Sequence, residues 1–350
     1  MGGANLKLAL WQDAHPKCVS QSFPLWKHPE QLGAAVGRLL EQLIAPESLA
    51  ESPPVTLAVT MTGELADCFA TRREGVQRIL CQLASVVPAQ QISVYAVGGD
   101  WLTVDQAVAD PWHVAASNWH ALASWIGRWQ ATADKCRRAI LIDIGSTTVD
   151  ILPLKDGQCA TGARTDRERL EQRQLVYTGA RRTPVCAITS RLILNERSVP
   201  VMAEFFATAD DAYLATALVE EDLLDADTAD GRPRSAVCAR ARLARMIGED
   251  SESLTASEIN GLAEQIIAAQ TRQVADAIQC NLAALSDDAH ATDTGVVKLI
   301  FSGQGWALFQ RARALCESPH ELLSLRSILS VEASRCAPAL AVAWLRAAAG

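Results

Sequence analysis

The chain has 350 residues, of which 49% are hydrophobic and 21% charged, with a formal net charge of −8 and a pI of about 5.3. That length and apolar fraction fit two domains of ordinary size, each with a sizeable core. The acidic balance argues against a general nucleic-acid or membrane-surface binder, no run of about 18 apolar residues is long enough to cross a bilayer, and no basic segment leads into a long apolar stretch as in a secretory signal.

In chain order, "LKLALWQ" and "CVSQSFP" read as strands, and Pro29 opens a helical pattern through Leu32, Val36, Leu39, Leu40 and Leu43. "VTLAVTMT" is a buried strand rich in β-branched residues. Helical spacing then runs from Gly63 to Val87, "ISVYAVGG" is the next strand, and residues 113–133 form a helix with Val114, Trp119, Leu122, Trp125, Ile126 and Trp129 as its apolar face. A second series starts at "AILIDIG", continues through "TVDILPL" and "GQCATGA", and passes an Arg-rich region to about Ser198. Helices near 208–224, 234–248 and 256–284 follow, then the strand "VVKLIFSG", a helix from Trp306, a late strand in "LRSILSVEA" and a closing helix in "ALAVAWLRAAA". Alternation of this kind predicts an α/β fold with mixed sheets covered by helices. The polar stretch Thr132–Arg138 divides it into domains 1–135 and 136–350, the second carrying the Arg-rich insertion around 160–200. The ten cysteines are scattered without a C-x-x-C pair, which predicts reduced thiols and a cytoplasmic protein. The single metal-like spacing, His15-x-x-Cys18, has no second pair to complete a site.

The most informative stretch is "LIDIGSTTVDILPL" at 141–154. A buried strand ends in Asp143, and Gly145, Ser146, Thr147 and Thr148 make a small polar turn whose amides and hydroxyls can point at a phosphate. Asp143 would reach Mg²⁺ through water, because Mg²⁺ keeps much of its hydration shell. Asp150 lies on the returning strand. On the turn alone, a hairpin with a solvated aspartate is an equal reading. The opening "MGGANLKLAL" matches the same pattern when Gly2 is laid on Gly145, with Lys7 placed to touch an anion. A third feature, "FSGQGWALF", sets Gly303, Gln304 and Gly305 between a strand and a helix, a shape that admits a nucleotide or another flat ligand. There is no G-x-x-x-x-G-K-[ST] and no G-x-G-x-x-G, which excludes a P-loop and argues against a Rossmann cofactor site.

Two turns, duplicated strand–helix halves and a late glycine motif resemble the superfamily of actin, sugar kinases and heat-shock chaperone ATPases. "DIGSTTVD" is similar to its second phosphate loop and "SGQG" to its adenosine motif. "GGANLK", "VTMTGELADCFATRREGV", "VAASNWHALA", "VYTGARRTPVCA", "TADGRP" and "ARLARMIGED" together resemble the hydantoinase/oxoprolinase-like proteins linked to tetrahydromethanopterin one-carbon metabolism, whose archaeal relatives are furan-methanamine synthases of methanofuran biosynthesis. The resemblance implies two actin-like ATPase-type domains around a central cleft. It implies a transferase that joins an aminomethylfuran diphosphate to the phenol oxygen of γ-glutamyltyramine and releases diphosphate. It also implies Mg²⁺ on the diphosphate, small-molecule substrates, no nucleic-acid or membrane partner, and homo-oligomer formation as an option. An ATP-dependent kinase or ATPase, with ATP as the ligand, is the alternative use of such a cleft, and an inactive or non-catalytic member is a third.

Residue by residue, the resemblance implies Asp143 as the metal-side carboxylate and Gly145, Ser146, Thr147 and Thr148 as the phosphate cradle. Gly2, Gly3, Asn5 and Lys7 form the opposing loop, and Asp150 is a base, a second metal contact or a strand-edge aspartate. In "TMTGELADCFATRREG", Thr62 caps a helix whose first turn holds Glu64 and Asp67, with Thr71 on the same face and Arg72 and Arg73 able to pair with those acids or bind an anion. Six arginines lie between 164 and 182, mostly a solvated face with i,i+4 pairs, with Arg181 and Arg182 singled out to grip the substrate's glutamyl carboxylates. His120 is read as a satisfied helix histidine rather than a catalyst. With Gly2 on Gly145, the equivalent of Asp143 falls before Met1, so the first domain is expected to lack a first strand and an N-terminally extended form is expected to be more stable and more active.

Overall fold

The structure is a computed structural model, which describes residues 1–11, 16–44, 55–133, 137–286, 296–317 and 319–349. His15 lies outside the described residues, as do 134–136 within the expected domain boundary. The nine described cysteines are free thiols.

Strands and helices alternate as the hydrophobic pattern predicts. β1 (Asn5–Leu10) turns Leu6 and Leu8 inward and pairs antiparallel with β2 (Lys17–Ser22). Pro29 begins a 3₁₀ turn that leads into the helix Leu32–Leu43, which buries Leu32, Val36, Leu39 and Leu43 along one face. β3 (Leu57–Val59) runs parallel to β4 (Ile92–Tyr95), and the crossover between them contains the helix Arg72–Ala84. β5 (Trp101–Leu102) closes this three-stranded sheet.

The crossover helix begins nine residues later than the spacing from Gly63 predicts. Thr71, not Thr62, is the N-cap: its Oγ1 accepts the Glu74 amide at 3.1 Å, while Glu74 Oε2 accepts the Ala70 amide at 3.0 Å. Residues 63–71 instead fold back onto the helix. Gly75 permits this, because a Cβ there would collide with the Glu64 carbonyl. The tryptophan-rich helix is also interrupted. A short helix, Pro111–Val114, ends at extended Ala115, Ala116 has φ 49°, and a new helix runs Asn118–Ala133. Trp119, Leu122, Trp125 and Ile126 are buried on it as expected.

β6 (Arg138–Ile144) and β7 (Val149–Lys155) flank the Gly145 turn, and β8 (Gln158–Cys159) follows β7. β9 (Leu175–Val176) pairs with the start of β7, and β10 (Arg191–Leu194) and β11 (Arg197–Pro200) make a separate hairpin. With β12 (Val297–Gly303) and β13 (His320–Ser324), the main sheet runs β13-β12-β6-β7-β8, with β9 off its path. The late strand is thus His320–Ser324 and not 325–333. Ser324 and Ser330 hydroxyls accept the Arg326 and Ala333 amides, which starts a 3₁₀ turn and a helix where the apolar pattern alone suggests a strand. The helix expected over 208–224 covers only Ala209–Ala215, whereas Ala236–Arg245 and Ala256–Ser286 form as predicted.

The chain forms two compact units. One comprises Met1–Leu141, Leu152–Arg169 and Leu323–Gly350, the other Ile142–Ile151 and Leu170–Leu322. In the first, the closing helix Ala337–Ala348 packs against Asn118–Ala133 and β1. In the second, Ala256–Ser286 packs against Ala209–Ala215 and the helix Trp306–Ala314. Among the described residues, no helix is long and apolar enough to cross a membrane.

Candidate functional site

In the second unit the site grows from the end of β6. Ala139, Ile140, Leu141 and Ile142 are fully buried, so the strand is fixed before it delivers half-buried Asp143 to the turn. The Gly145 amide donates to the Thr148 carbonyl at 2.9 Å and closes the turn. Ser146 Oγ and Thr147 Oγ1 lie 3.4 Å apart, and all four turn residues are half-buried. The Ser146 and Thr147 amides donate to no backbone carbonyl among the described residues. Such amides, beside two hydroxyls, are what an anion-binding turn offers.

A second segment braces this turn from outside. Ala180 donates its amide to the Gly145 carbonyl at 2.9 Å, and Arg181 and Arg182 both donate theirs to the Ser146 carbonyl, at 3.0 and 2.9 Å. The approach is close enough to require Gly179, where a Cβ would stand 2.5 Å from the Thr147 nitrogen. The brace is itself anchored. Thr183 Oγ1 accepts the Gly179 amide at 2.8 Å, fully buried Gln270 donates to Thr178 Oγ1 at 2.8 Å and to the Gly179 carbonyl at 2.9 Å, and Tyr213 donates to Gln270 Oε1 at 3.0 Å. Sequence reasoning missed Gly179, Thr183, Tyr213 and Gln270. The break in helical pattern at Tyr177-Thr178-Gly179 was the one available signal.

Gly303, Gln304 and Gly305 also meet the end of β6. The Gln304 amide donates to the Ile144 carbonyl at 2.8 Å. A Cβ on Gly303, which has φ +91°, would overlap the Ile144 carbonyl and stand 2.9 Å from Asp143 Oδ1. A Cβ on Gly305 would overlap the Ile144 side chain. The close approach these glycines permit is therefore to the chain's own strand. Asp150 is 7% exposed on β7, opposite Leu175.

The Arg181 guanidinium is paired within the chain. Its Nη2 donates to Asp225 Oδ2 at 2.8 Å and its Nε lies 3.9 Å from Asp210 Oδ2. Burial pulls the Asp225 carboxyl upward, but the Asp227 amide and the Arg181 charge outweigh it and hold the group below the usual carboxylate range. Arg234 grips Asp210 with two bonds of 2.6 and 2.8 Å, and Arg242 bonds Asp211 and Asp230, so the "TADGRP" loop is tied down by chain-internal pairs. Arg182 is half-buried and contributes its amide to the brace.

In the first unit, the Gly2 amide donates to the Asn5 carbonyl at 3.0 Å. Gly3 and Ala4 carbonyls accept the Leu25 and Phe23 amides, each at 2.9 Å, and half-buried Lys7 sits opposite Ser20 on β1. Exposed Thr62 donates its amide to the Met1 carbonyl at 2.8 Å, and its Oγ1 is 3.6 Å from the Cβ position of Gly2. The expected shared face of Glu64, Asp67 and Thr71 does not form, because 63–71 is not helical. Glu64 turns inward and is 1% exposed, while Asp67 and Thr71 face solvent. Glu64 Oε1 lies 3.9 Å from Arg72 Nε, and Glu64 Oε2 and Arg72 Nε have no hydrogen-bond partner among the described residues. Burial pushes the Glu64 carboxyl above its ordinary range, against the opposing pull of nearby amides and Arg72. Arg72 also stacks over Trp112 at 4.9 Å, and Arg73 donates to the Val108 and Ala109 carbonyls. His120 Nδ1 is 3.0 Å from the Tyr95 hydroxyl and 3.4 Å from Ser124 Oγ, and burial, then Arg164, lowers its pKa to about 4. The histidine is neutral at ordinary pH.

Among the described residues, no group of three or more His, Cys, Asp and Glu side chains is arranged to hold a metal. A single carboxylate, Asp143, beside a hydroxyl-rich turn is a donor set suited to Mg²⁺ held mainly by water and phosphate, and unsuited to a closed thiolate or imidazole site.

The chain is similar to several known proteins. The solved structure of nucleotide-free acetone carboxylase aligns with a TM-score of 0.46 and 12% identity, over 92% of this chain and 46% of that one. The (4-{4-[2-(γ-L-glutamylamino)ethyl]phenoxymethyl}furan-2-yl)methanamine synthase of Methanocaldococcus jannaschii is 28% identical over 346 residues, covering 99% of this chain and 95% of the relative. The synthase of the same name from Methanococcus vannielii is 26% identical over 211 residues, 60% of this chain and 90% of the relative. The Hydantoinase/oxoprolinase family profile matches residues 56–349, from before β3 through the closing helix. The chain belongs to the hydantoinase/oxoprolinase family.

Proposed function

We propose that this chain is a transferase that joins an aminomethylfuran diphosphate to the phenol oxygen of a glutamyl-tyramine, with release of diphosphate, in methanofuran or methylofuran biosynthesis. The observation that carries the reading is the end-to-end similarity to a synthase whose named product contains a phenoxymethyl–furan ether. The geometry of the second turn supports it. The Ser146 and Thr147 amides and the hydroxyls of Ser146, Thr147 and Thr148 bind the diphosphate, and the Gly179–Arg182 brace keeps them aimed.

In the reaction the bond between the furan methylene carbon and the diphosphate oxygen breaks, and that oxygen keeps the electron pair. The phenol oxygen forms the new bond to carbon and loses its proton. Negative charge grows on the leaving diphosphate, where preorganised amides and hydroxyls are worth most. Asp143 is the carboxylate that would hold a Mg²⁺ ion, through water. Mg²⁺, when bound with the diphosphate, supplies further neutralisation of that charge. Asp150, a buried carboxylate on the strand leaving the turn, is the candidate proton acceptor. A cytoplasmic location and small-molecule substrates belong to the same reading.

The test is incubation with Mg²⁺, the furan diphosphate and γ-glutamyltyramine, reading diphosphate by coupled assay and the ether by mass spectrometry, with ATP in a parallel reaction. Equal release of diphosphate and ether is the expected result. ATP turnover without ether would replace this reading with the ATP-dependent phosphotransferase.

A further inference from the structure

Arg164 differs from Arg181: its guanidinium has no hydrogen-bond or ion-pair partner among the described residues. Its backbone is nonetheless fixed, since Glu168 Oε2 accepts the Arg164 and Thr165 amides at 2.6 and 3.1 Å. Arg164 Nη1 lies 3.3 Å from the point a Cβ would occupy on Gly98, and Asp100 Oδ2 lies 4.0 Å from the same point. No salt bridge joins Arg164 to Asp100, and both side chains are exposed. Gly98 and Gly99 have φ of +126° and +102°, a conformation that L side chains rarely adopt, so the two positions favour glycine. Half-buried His120 lies close enough for the Arg164 charge to act on it. Its ring is held at Nδ1 by Tyr95 and Ser124, and Nε2 has no partner among the described residues.

We infer that Gly98, Asp100 and Arg164, backed by His120, form a receptor for a free α-amino acid end, such as a γ-glutamyl group carries. A bare glycine flanked by one cation and one anion, neither paired among the described residues, matches a carboxylate and an ammonium on adjacent atoms. Arg164 takes the carboxylate through its planar fork and Asp100 takes the ammonium. The neutral histidine adds a polar contact without adding charge. The amino-acid chemistry stands on this geometry, and only its assignment to the acceptor substrate rests on the transferase reading above.

The experiment measures binding of γ-glutamyltyramine and of tyramine to the full chain by calorimetry, for the wild type, Arg164→Ala and Asp100→Asn. Unchanged melting temperatures establish that these exposed substitutions leave the fold intact. The expected result is a loss of γ-glutamyltyramine affinity of about tenfold or more in Arg164→Ala and a smaller loss in Asp100→Asn, with tyramine binding unaltered. In turnover, KM for the acceptor rises and kcat is kept. Equal affinity of wild type and both variants, or no binding of the glutamyl compound by the wild type, overturns the inference. The two readings separate cleanly. Arg164-dependent binding without ether formation keeps the receptor and removes the transferase, whereas ether formation with an unchanged KM in Arg164→Ala does the reverse.

Discussion

The two glycine turns close alike and are supported differently. Gly2 and Gly145 each donate an amide to the carbonyl three residues on, at 3.0 and 2.9 Å. Around Gly145 stand the Ser146 and Thr147 hydroxyls, 3.4 Å apart, and a brace of three amides that occupies the Gly145 and Ser146 carbonyls. Around Gly2 the neighbours are Ala4 and Asn5, and the bracing comes from the amides of Phe23 and Leu25 on Ala4 and Gly3. Backbone closure is a property of the local pattern, and in neither turn do the two amides after the glycine donate to a backbone carbonyl among the described residues. What separates the turns is side-chain chemistry: Ser146, Thr147 and Thr148 bring three hydroxyls where the first turn has Gly3, Ala4 and Asn5.

The largest effect that would sharpen this contrast is on turnover. Asp143→Asn is expected to lower diphosphate release by about a hundredfold or more, as loss of a group aimed at transition-state charge does. Asp67→Asn, exposed in the first unit, is expected to leave it unchanged. Equal losses in steady-state assays of the two would break the contrast. Next comes the brace. Gly179→Ala must displace the Thr147 backbone 2.5 Å from the new Cβ, an overpacking cost of about 1–3 kcal/mol. Gly63→Ala overlaps only the tip of the Leu25 side chain and meets the Gly2 backbone at an ordinary 3.5 Å, so its melting temperature is expected to fall less, and pyrophosphate binding is expected to weaken in Gly179→Ala alone. Calorimetry with inorganic pyrophosphate checks both.

A smaller effect concerns the segment beside the first turn. Thr71→Ala removes the N-cap of the crossover helix and is expected to cost about 1 kcal/mol in denaturant unfolding, whereas Thr62→Ala costs less because Thr62 caps no helix. The smallest is a pH trend. Burial raises the folded-state carboxyl of Glu64 above its ordinary value near 4.5. The protonated form is therefore favoured in the fold, and stability from this group is full below that value and lost as pH rises through the folded-state value. Glu64→Gln removes the trend, so the variant is expected to gain on the wild type as pH rises from acid toward neutral. Melting curves across that window with a constant difference would contradict it.

Much of the candidate site was legible in sequence because it is local. Asp143, Gly145, Ser146, Thr147 and Thr148 are consecutive or nearly so, and a strand–turn–strand pattern places them together. The misreadings have local causes as well. Residues 63–71 carry helical spacing, but the Thr71 cap and the bare face of Gly75 favour a fold-back, which sends Glu64 inward. The run 325–333 is apolar enough for a strand, yet serine hydroxyls on backbone amides start helical turns there.

What the sequence alone determined is the alternation of strands and helices, the repeated turn and the family, because these follow from hydrophobic period and from motifs within a few residues. Tertiary structure alone decided which charges are engaged. Arg164 and Arg181 lie in one arginine-rich run, but the Arg181 guanidinium meets Asp225, 44 positions away, and the Arg164 guanidinium pairs with no acid among the described residues. Likewise Gln270 reaches Thr178 and Gly179 across more than 90 positions to steady the brace. Pairing over such separations is set by how the chain packs, and no periodicity or motif encodes it.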